Sequence, residues 1–248
     1  NFSIKSPTVV PDMVSDSYEY ATMFKDAYSA FYDYSRTPST IHKAVSFSQS
    51  WYETLASHRP GSGLADVETD AKGNYLYYAN TDWYDMMYKD QTLSNDHNVT
   101  VQGGSDKADF MVSGRFYDQE GLFSYNSDDY TMYNIRAKGS AQIFPWLKAE
   151  NNMEFSQMNY HNPLTVADGN VWYGLESEAQ PMSPMFNPNG TLTMAAAYSV
   201  GDLWYGKNGT DTDKRVLRNT TSFTASFLEN TLRVKGDITF RNTDKTDE

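Results

Sequence analysis

Apolar and polar residues alternate along several long stretches of the chain. Within Thr131–Ile143, the odd-numbered positions from Tyr133 onward are apolar or small, and the even-numbered positions from Asn134 onward are polar or charged. The alternation resumes in Leu147–Ser156, where Asn151 is its lapse, and returns in 217–227 and 232–241. A repeat of two residues predicts β-strands that have one apolar and one polar face.

The stretch His97–Phe123 consists of two extended halves joined by "GGSDK", which predicts a hairpin. With Asn1–Ser6 ("NFSIKS") as the first, the chain contains about seven strands. Strands of about ten residues exceed the length that is usual in soluble sheets. Because a soluble sandwich also alternates, this pattern alone leaves both a sandwich and a membrane barrel open.

The lengths of the connections separate these two folds. Short turns at one end of the strands and long loops at the other end favour an outer-membrane β-barrel, with lipid on the apolar face and the lumen on the polar face. About seven strands cannot close a wide barrel, so we predict an arc of a larger wall. The short links are Gly103–Lys107, Phe144–Trp146 and Glu229–Asn230, and the long connections are Pro7–Asp96, Asp118–Asp129 and Gln157–Lys214.

Two helices are predicted within the first long connection. In Ser15–Tyr34, Asp16 is a candidate N-cap with Glu19 three residues further on. Both helices are expected to pack on an outer loop, with their aromatic residues in its core. The predicted apolar stripes are Tyr20, Phe24, Ala27 and Phe31 in Ser15–Tyr34, and Ile41, Ala44, Ser48, Trp51 and Leu55 in Ser39–His58.

Composition excludes several classes of protein. The 248-residue chain has no cysteine, which excludes disulfides, thiolate metal sites and cysteine nucleophiles. Its formal net charge of −12 argues against nucleic-acid binding, which requires clustered Lys and Arg. The sequence contains no run of about 18 apolar residues, so it predicts no transmembrane helix. Since the chain starts within strand-like sequence at Asn1, we expect an internal piece of a longer protein.

Three motifs in order resemble the SusC/RagA family of TonB-dependent outer-membrane transporters. They are "ANTDWYDMMYKD", "HNVTVQGGSDKADFMVSGRFYDQEGLF" and "YTMYNIRAKGSAQIFPWLKAENNMEFS". The resemblance extends upstream through the first 27 residues, is densest from Asn80 to Ser156 and is thin from Gln157 to Lys214. Ala79 departs from the proline that the family often has before its "NTDW" stretch.

The resemblance implies an all-β fold, in which residues 1–248 form the N-terminal part of a plugged barrel of about 22 antiparallel transmembrane strands. The plug and the other strands lie outside this chain. It further implies a bacterial outer-membrane location, energy from the TonB complex and a SusD-like surface lipoprotein as a lid. The expected function is therefore import of an oligomeric nutrient, preferably an oligosaccharide, with a peptide of the RagA type as the alternative. A surface carbohydrate-binding protein and a passive porin are rival interpretations.

A sugar importer needs aromatic faces for stacking, with carboxylates and amides beside them to bond hydroxyls. Two motifs of the last long connection supply such residues, "ADGNVWYGLE" and "GDLWYGKNG". The alternative is that these side chains pack the loop or touch the lid. The candidate substrate-binding residues are Asp168, Asn170, Trp172, Tyr173, Asp202, Trp204, Tyr205 and Asn208.

Charged residues of the polar strand faces are predicted to face the lumen or the plug, where they tune passage of solute or form salt bridges. Phe144 and Trp146 lie beside a short turn and are predicted to belong to an interfacial aromatic girdle. The predicted lumen- or plug-facing residues are Arg136, Lys138, Lys148, Glu150, Glu154, Arg233, Lys235 and Asp237.

Catalysis finds little support in the sequence. Four scattered histidines form no metalloprotease motif, and no Gly-x-Ser-x-Gly elbow is present. We therefore expect no enzyme, no catalytic residue and no cofactor. The acidic stretches Asn126–Tyr130 and Gly209–Arg215 contain oxygen ligands suited to Ca²⁺ at the outer surface, although a solvated loop is the simpler interpretation.

Overall fold

The computed structural model of the chain describes residues 1–8, 12–41, 45–164, 171–229 and 231–248, together with the backbone but not the side chains of Val171 and Trp172. In chain order its elements are β1 (Phe2–Lys5), α1 (Ser17–Phe31), β2 (Thr40–Ile41), β3 (Val45–Ser46), α2 (Gln49–Leu55), β4 (Val67–Thr69), β5 (Tyr75–Tyr77), α3 (Trp83–Met87), β6 (Thr92–Ser105), β7 (Ala108–Glu120), β8 (Asp129–Phe144), β9 (Leu147–Pro163), α4 (Val171–Glu178), α5 (Met194–Ser199), α6 (Gly201–Tyr205), β10 (Gly209–Phe227) and β11 (Leu232–Asp247).

One antiparallel sheet dominates the fold. Its seven strands run in the order β1-β6-β7-β8-β9-β10-β11, so each long strand pairs with its neighbour in sequence. The long connections lie at one end of this sheet, here named the outer end, and the short turns lie at the turn end. The predicted all-β antiparallel sheet of about seven strands is confirmed.

The strand register aligns the two faces across the whole sheet. Val101 faces Val112, which faces Ala137, and Ala137 in turn faces Met153 on β9. Large apolar side chains of this face are open to the surroundings, and Ile238 is 75% exposed. A soluble sandwich would bury such a face against a second sheet.

The buried apolar side chains lie in the connections rather than in the sheet. They fall between Ala21 and Tyr88 and between Leu175 and Leu203, in the part of the chain that the structure describes. The two long connections, residues 12–91 and 171–208, are here named the cap. The protein therefore consists of a two-faced sheet with a hydrophobic core at its outer end.

Backbone hydrogen bonds join the two halves of the cap. The amide of Ala79 donates to the carbonyl of Met182 over 3.0 Å, and that of Thr81 donates to Pro181 over 2.8 Å. The indole Nε1 of Trp83 donates to the carbonyl of Gln180 over 3.0 Å. Segments about 100 residues apart in sequence are thereby held as one folded unit.

The first predicted helix forms, and its predicted cap is observed. Asp16 Oδ1 accepts a hydrogen bond from the backbone N–H of Glu19 over 3.0 Å. The predicted apolar stripe is wrong at Ala27, which is exposed, and at Phe31, which is 80% exposed.

Small residues of α1 contact the chain around Ala79, within the cap. Ser17 donates its backbone N–H to Asn80 Oδ1 over 2.9 Å and its hydroxyl to the carbonyl of Ala79. Ala21, one turn further on, is fully buried. The buried residues of α1 therefore differ from the predicted apolar stripe. A close approach of two backbones requires small side chains, and the periodicity of apolar residues does not identify these.

The second predicted helix is shorter than expected. Its N-cap is Ser48, whose hydroxyl accepts from the N–H of Trp51 over 3.1 Å, so the helix begins only at Gln49. Upstream, Thr40–Ile41 pairs with Val45–Ser46 as two short strands, which suits β-branched residues. Ser48 is an exposed cap rather than a member of a buried stripe.

Three members of the second stripe are nevertheless buried: Ile41, Trp51 and Leu55. Ile41 reaches the core from a strand, and Ala44 lies outside the described residues. The four helices α3 to α6 were not predicted, because each is too short to show a helical repeat.

The strands extend further towards the outer end than predicted. β9 continues to Pro163 and β10 begins at Gly209, so their connection is 164–208 rather than 157–214. In the extension of β9, Gln157, Asn159 and His161 stand on the face that is apolar elsewhere, so the alternation that marks this strand is lost there.

The hairpin around "GGSDK" turns after Ser105. A Cβ at Gly104 would lie 2.8 Å from the carbonyl oxygen of Ala108, so the tight pairing at this turn excludes a side chain there. Among the described residues, no helix combines the length and apolarity that crossing a membrane requires.

Candidate functional site

The polar face of the sheet carries all eight residues predicted to face the lumen or the plug. Arg136 is the register partner of Glu154, and Glu150 is paired through Ser222 with Asp237. Contact of this face with a plug or a solute stays a prediction. The eight residues on it are Arg136, Lys138, Lys148, Glu150, Glu154, Arg233, Lys235 and Asp237.

Local contacts hold several of these charges in place. Lys148 Nζ lies 3.0 Å from Glu150 Oε1, and Arg136 Nε donates to Asn152 Oδ1 over 3.0 Å. Asn134 Nδ2 donates to Glu154 Oε1 over 3.1 Å. Charges of both signs are thus interspersed with amides, which gives a hydrated surface rather than a single-sign field.

The first group of predicted substrate residues lies at α4. Asp168 and Asn170 fall outside the described residues, and the side chain of Trp172 is not described either. Tyr173 is half-exposed on α4. A Cβ at Gly174 would lie 3.1 Å from the carbonyl oxygen of Ser199, so α4 packs closely on α5.

The second group lies around α6. Asn208 Nδ2 donates to Asp202 Oδ1 over 2.7 Å, which brings these two predicted residues together. Trp204 packs edge-on between Tyr125 and Phe186, with ring centroids 5.0 and 5.3 Å apart. Trp204 therefore has a packing role in the cap, although part of its ring remains exposed.

Tyr205 has a different environment from Trp204. It is 66% exposed, at the last position of α6, where the helix ends on Gly206 with φ of 62°. Tyr173 and Tyr205 are thus two exposed rings of the cap. Exposed rings of this kind can stack on sugar rings or on side chains of a peptide.

His161 connects the sheet to the loops at the outer end. Its Nδ1 lies 2.6 Å from Asp211 Oδ1, and its Nε2 lies 3.2 Å from Asn126 Oδ1. Asn126 Nδ2 donates in turn to the carbonyl of Asn208 over 3.3 Å. The α6 corner is thus anchored to strands β9 and β10.

These contacts also involve the stretches considered for Ca²⁺. Asp211 is paired with His161, and Asp213 with Arg215 over 3.0 Å. Within the described ranges, no group of three or more His, Asp or Glu side chains is arranged to hold a metal ion.

A polar cluster at the outer end of the sheet was not predicted. Lys5 Nζ donates to Gln119 Oε1 over 2.6 Å and lies 3.2 Å from the hydroxyl of Tyr117. The Tyr117 hydroxyl also donates to Gln119 Oε1 over 2.6 Å. The register places these residues on the polar face, the same face as Tyr130 and Tyr160.

An ion pair supports this cluster on its turn-end side. Arg115 donates from Nε and Nη2 to the two carboxylate oxygens of Asp96 over 2.9 and 2.8 Å. The Arg115 guanidinium also lies 5.5 Å from the centre of the Tyr117 ring. Both groups are fixed by these contacts.

A cavity of about 390 Å³ lies between this cluster and the cap. On the sheet side it is lined by polar-face residues, and on the cap side by aromatic rings. Burial raises the pKa of the Tyr88 phenol, which is therefore neutral at physiological pH. The sheet-side residues are Lys5, Thr92, Gln119, Tyr160 and Asn162, and the aromatic rings are Tyr88 of the cap and Phe123 of the loop between β7 and β8.

The sequence contains one indication of this cavity, which is the alternation of the two faces along each strand. If the alternation of Asn152, Glu154 and Ser156 is continued beyond Gln157, it places Tyr160 and Asn162 on the polar face. The contribution of the cap rings depends on long-range folding, which no local pattern predicts.

Comparison with known proteins identifies the fold. No protein-family model and no curated protein matches the sequence. Among solved structures, the RagAB peptide importer in its open-open state has a TM-score of 0.58 and 14% sequence identity, over 99% of this chain and 27% of that chain. Its closed-closed state gives a TM-score of 0.56 at 14% identity, over 99% of this chain and 28% of that chain.

A further structure, of the RagAB peptide transporter, has a TM-score of 0.57 and 15% identity, over 99% of this chain and 28% of that chain. This chain therefore spans little more than a quarter of the length of the chains it matches. At these identities the likeness concerns the fold. The seven-stranded sheet with its cap has the architecture of one part of the RagAB importer.

Proposed function

We propose that this chain forms part of the wall of a bacterial outer-membrane importer, which takes up an oligomeric nutrient with energy from the TonB complex. A SusD-like surface lipoprotein closes the outer end as a lid. The observation that carries the proposal is the two-faced sheet: its apolar face is uncovered along its length, and its polar face ends in a folded cap.

The uncovered apolar face supports contact with lipid. Ile135 and Ile238, in mid-strand, and Val234, near the turn end, are each more than half exposed. In water such a continuous apolar surface is an aggregation hazard, whereas a bilayer solvates it. Outer-membrane strands have this alternation of lipid-facing and lumen-facing residues.

The cap supports an importer over a simple pore. It has two buried clusters, one that includes Trp83 and Leu175 and one that includes Trp51, so the connections fold instead of remaining open loops. A folded unit at the outer end offers a fixed surface for a lid and for the first contacts with a solute.

The cargo is either oligosaccharide or peptide. Exposed rings on the cap, at Tyr173 and Tyr205, are of the kind that stack on sugars, which supports the glycan alternative. The solved structures that share the fold are of a peptide importer, which supports the peptide alternative. Both cargoes are oligomers that pass along a hydrated, mixed-charge wall.

Uptake by cells provides the first test. A strain that lacks the parent gene should lose accumulation of one labelled class, oligosaccharides or short peptides, and a plasmid copy should restore it. Dissipation of the proton gradient should abolish that uptake. Uptake that persists without the gradient would favour a passive channel, and cell-surface binding without uptake would favour a carbohydrate-binding protein.

Calorimetric titration of the intact transporter with its lid then identifies the cargo class. If the cap rings contact the cargo, the double variant Tyr173→Ala/Tyr205→Ala should weaken binding about tenfold. Phe31→Ala is the matched control, since Phe31 is also an open ring, at the end of α1. Equal effects of the two variants would exclude a specific contact at Tyr173 and Tyr205.

A further inference from the structure

The cavity between the outer end of the sheet and the cap has the composition of a ligand subsite. Five of the strand residues that line it, Lys5, Thr92, Gln119, Tyr160 and Asn162, belong to the polar face, so the cavity lies on the side proposed for solute passage. Thr92, on its floor, is only 3% exposed. Its volume of about 390 Å³ accommodates one sugar unit or one to two amino-acid residues.

Lys5 is the cation of this cavity. Its neighbours at hydrogen-bond distance, Gln119 and the hydroxyl of Tyr117, are both neutral. In the ranges that the structure describes, no carboxylate oxygen lies within 4.0 Å of Lys5 Nζ. An ammonium group has three donors and no acceptor, so a donor remains for an anionic ligand.

The neighbouring cation on the same face differs from Lys5. Arg115 is neutralised by the two-point contact with Asp96. Charge-assisted hydrogen bonds to a carboxylate are stronger than those between neutral groups. We therefore expect a ligand carboxylate to bind Lys5 rather than Arg115.

The cavity lining also supplies hydrogen-bond acceptors. The Asp128 carboxylate lies directly against Gly121, in the space that a Cβ at that position would occupy. The N–H of Gly121 donates to the carbonyl of Asp128 over 2.7 Å, which fixes this loop. Glu120 and Asn162 also line the cavity. These oxygens suit N–H or O–H donors of a ligand.

Aromatic rings form the wall on the cap side. The rings of Tyr88 and Phe123 are in contact, with centroids 5.3 Å apart, and Tyr160 closes the cavity from β9. Such walls accept either an apolar side chain or the flat face of a sugar ring. The cavity thus combines one cation, several acceptors and an apolar wall.

We propose that this cavity is a subsite for a carboxylate flanked by hydrogen-bond donors, at one end of the imported oligomer. The inference rests on the proposed import function, and it specifies in addition that the cargo carries a negatively charged end. Two sources carry this chemistry: the C-terminal residue of a peptide, with its backbone N–H, and a terminal uronic acid, with its hydroxyls. Lys5 binds the carboxylate, and Asp128 accepts from the donors.

Paired ligands distinguish the sources in calorimetric titrations of the intact transporter with its lid. One pair is a short peptide with a free C-terminus and the same peptide amidated. The other pair is an oligosaccharide that ends in a uronic acid and the corresponding neutral oligosaccharide. The carboxylate member of one pair should bind about tenfold more tightly, since a charge-assisted hydrogen bond is gained.

The variant Lys5→Met should abolish that preference, and Lys5→Arg should retain most of it. Lys72→Met is the matched control, because Lys72 lies in the β4–β5 turn, away from the cavity lining. Loss of preference in Lys5→Met, with preference intact in Lys72→Met, supports the subsite.

Other outcomes overturn the subsite. Tight binding of both members of a pair, with no preference in the wild type, shows that the terminal carboxylate is not recognised. A preference that survives in Lys5→Met places recognition elsewhere. The import function is judged separately by uptake in the deletion strain: intact uptake with no carboxylate preference refutes only the subsite, and unchanged uptake after deletion refutes the importer itself.

Discussion

Asn151 and Asn219 exchange side-chain hydrogen bonds across the β9–β10 pair, on the apolar face of the sheet. Asn151 Nδ2 donates to Asn219 Oδ1 over 3.1 Å, and Asn219 Nδ2 donates to Asn151 Oδ1 over 3.2 Å. Asn151 Nδ2 also donates to the hydroxyl of Thr221 over 2.9 Å. Asn151, which interrupts the apolar alternation, therefore belongs to a cluster of polar side chains that hydrogen-bond to one another.

The position of this cluster determines how much its hydrogen bonds contribute to stability. Asn151 lies midway between Leu147 and Phe155, about 13 Å along the strand from each. In a barrel wall that is the middle of the apolar band, where water is unavailable to amides. If one of the two amide side chains is removed, the other is left without its hydrogen-bond partner, which costs free energy.

We expect Asn151→Leu to destabilise the folded protein by about 1 kcal/mol. The double variant Asn151→Leu/Asn219→Leu should regain most of this loss, because no amide is then left unpaired. The measurement is the unfolding temperature of the full-length protein in detergent, read from the gel mobility of folded and unfolded forms.

Met153→Leu is the control for this pair, since Met153 lies on the same face and the substitution conserves volume. If Asn151→Leu and the double variant are equally destabilised, the two amides are not coupled.

Three aromatic rings stack at the turn end of the sheet, where the sequence predicts an interfacial girdle. The rings of Phe144 and Trp146 are 5.7 Å apart at 9°, and Trp146 lies 5.9 Å from Phe227. All three are exposed, as the predicted girdle requires. We expect Trp146 fluorescence to be quenched most by lipids brominated near the headgroups, measured as the difference between wild type and Trp146→Phe. Stronger quenching by bromines near the bilayer centre would contradict the girdle.

The sequence predicts those features that a local repeat determines. Asp16 caps α1, and the two strand faces follow from parity alone. It does not predict α3 to α6, because these helices of five to eight residues are formed by tertiary packing rather than by a visible repeat. The approach of Ser17 to Ala79 and the cavity at Lys5 depend on contacts between distant segments, so no local pattern contains them.

Asp70 makes the β4–β5 hairpin sensitive to acid. Hydrogen bonds from the Asn74 side chain and backbone lower the pKa of Asp70 from its ordinary value of 3.8. A lowered pKa in the folded state means that the carboxylate stabilises the hairpin above pH 3.8, and that this stabilisation is lost as the pH falls through the lowered pKa.

Hydrogen exchange of a peptide that covers residues 66–78 measures this loss. After correction for intrinsic rates, protection should fall below pH 3.8 in the wild type, and Asp70→Asn should remove the pH dependence. The same acid response in Asp70→Asn would assign the effect to another group.

The cap core and the exposed end of α1 offer a matched comparison of stability. Trp51 is 4% exposed, stacks on Tyr78 and donates its Nε1 hydrogen to the carbonyl of Tyr77 over 3.1 Å. Trp51→Ala removes this packing and leaves a cavity, which should destabilise the cap by about 3–5 kcal/mol.

Phe31→Ala should change the stability of the cap by less than about 0.5 kcal/mol, because the ring is already in solvent. Limited proteolysis of the full-length transporter measures both variants, since a destabilised cap is cut while the strand wall resists. Rapid cleavage in residues 49–78 is expected for Trp51→Ala alone. Equal cleavage of the two variants would mean that the core around Trp51 does not hold the cap together, and resistance of both would mean that the cap is stabilised by the sheet beneath it.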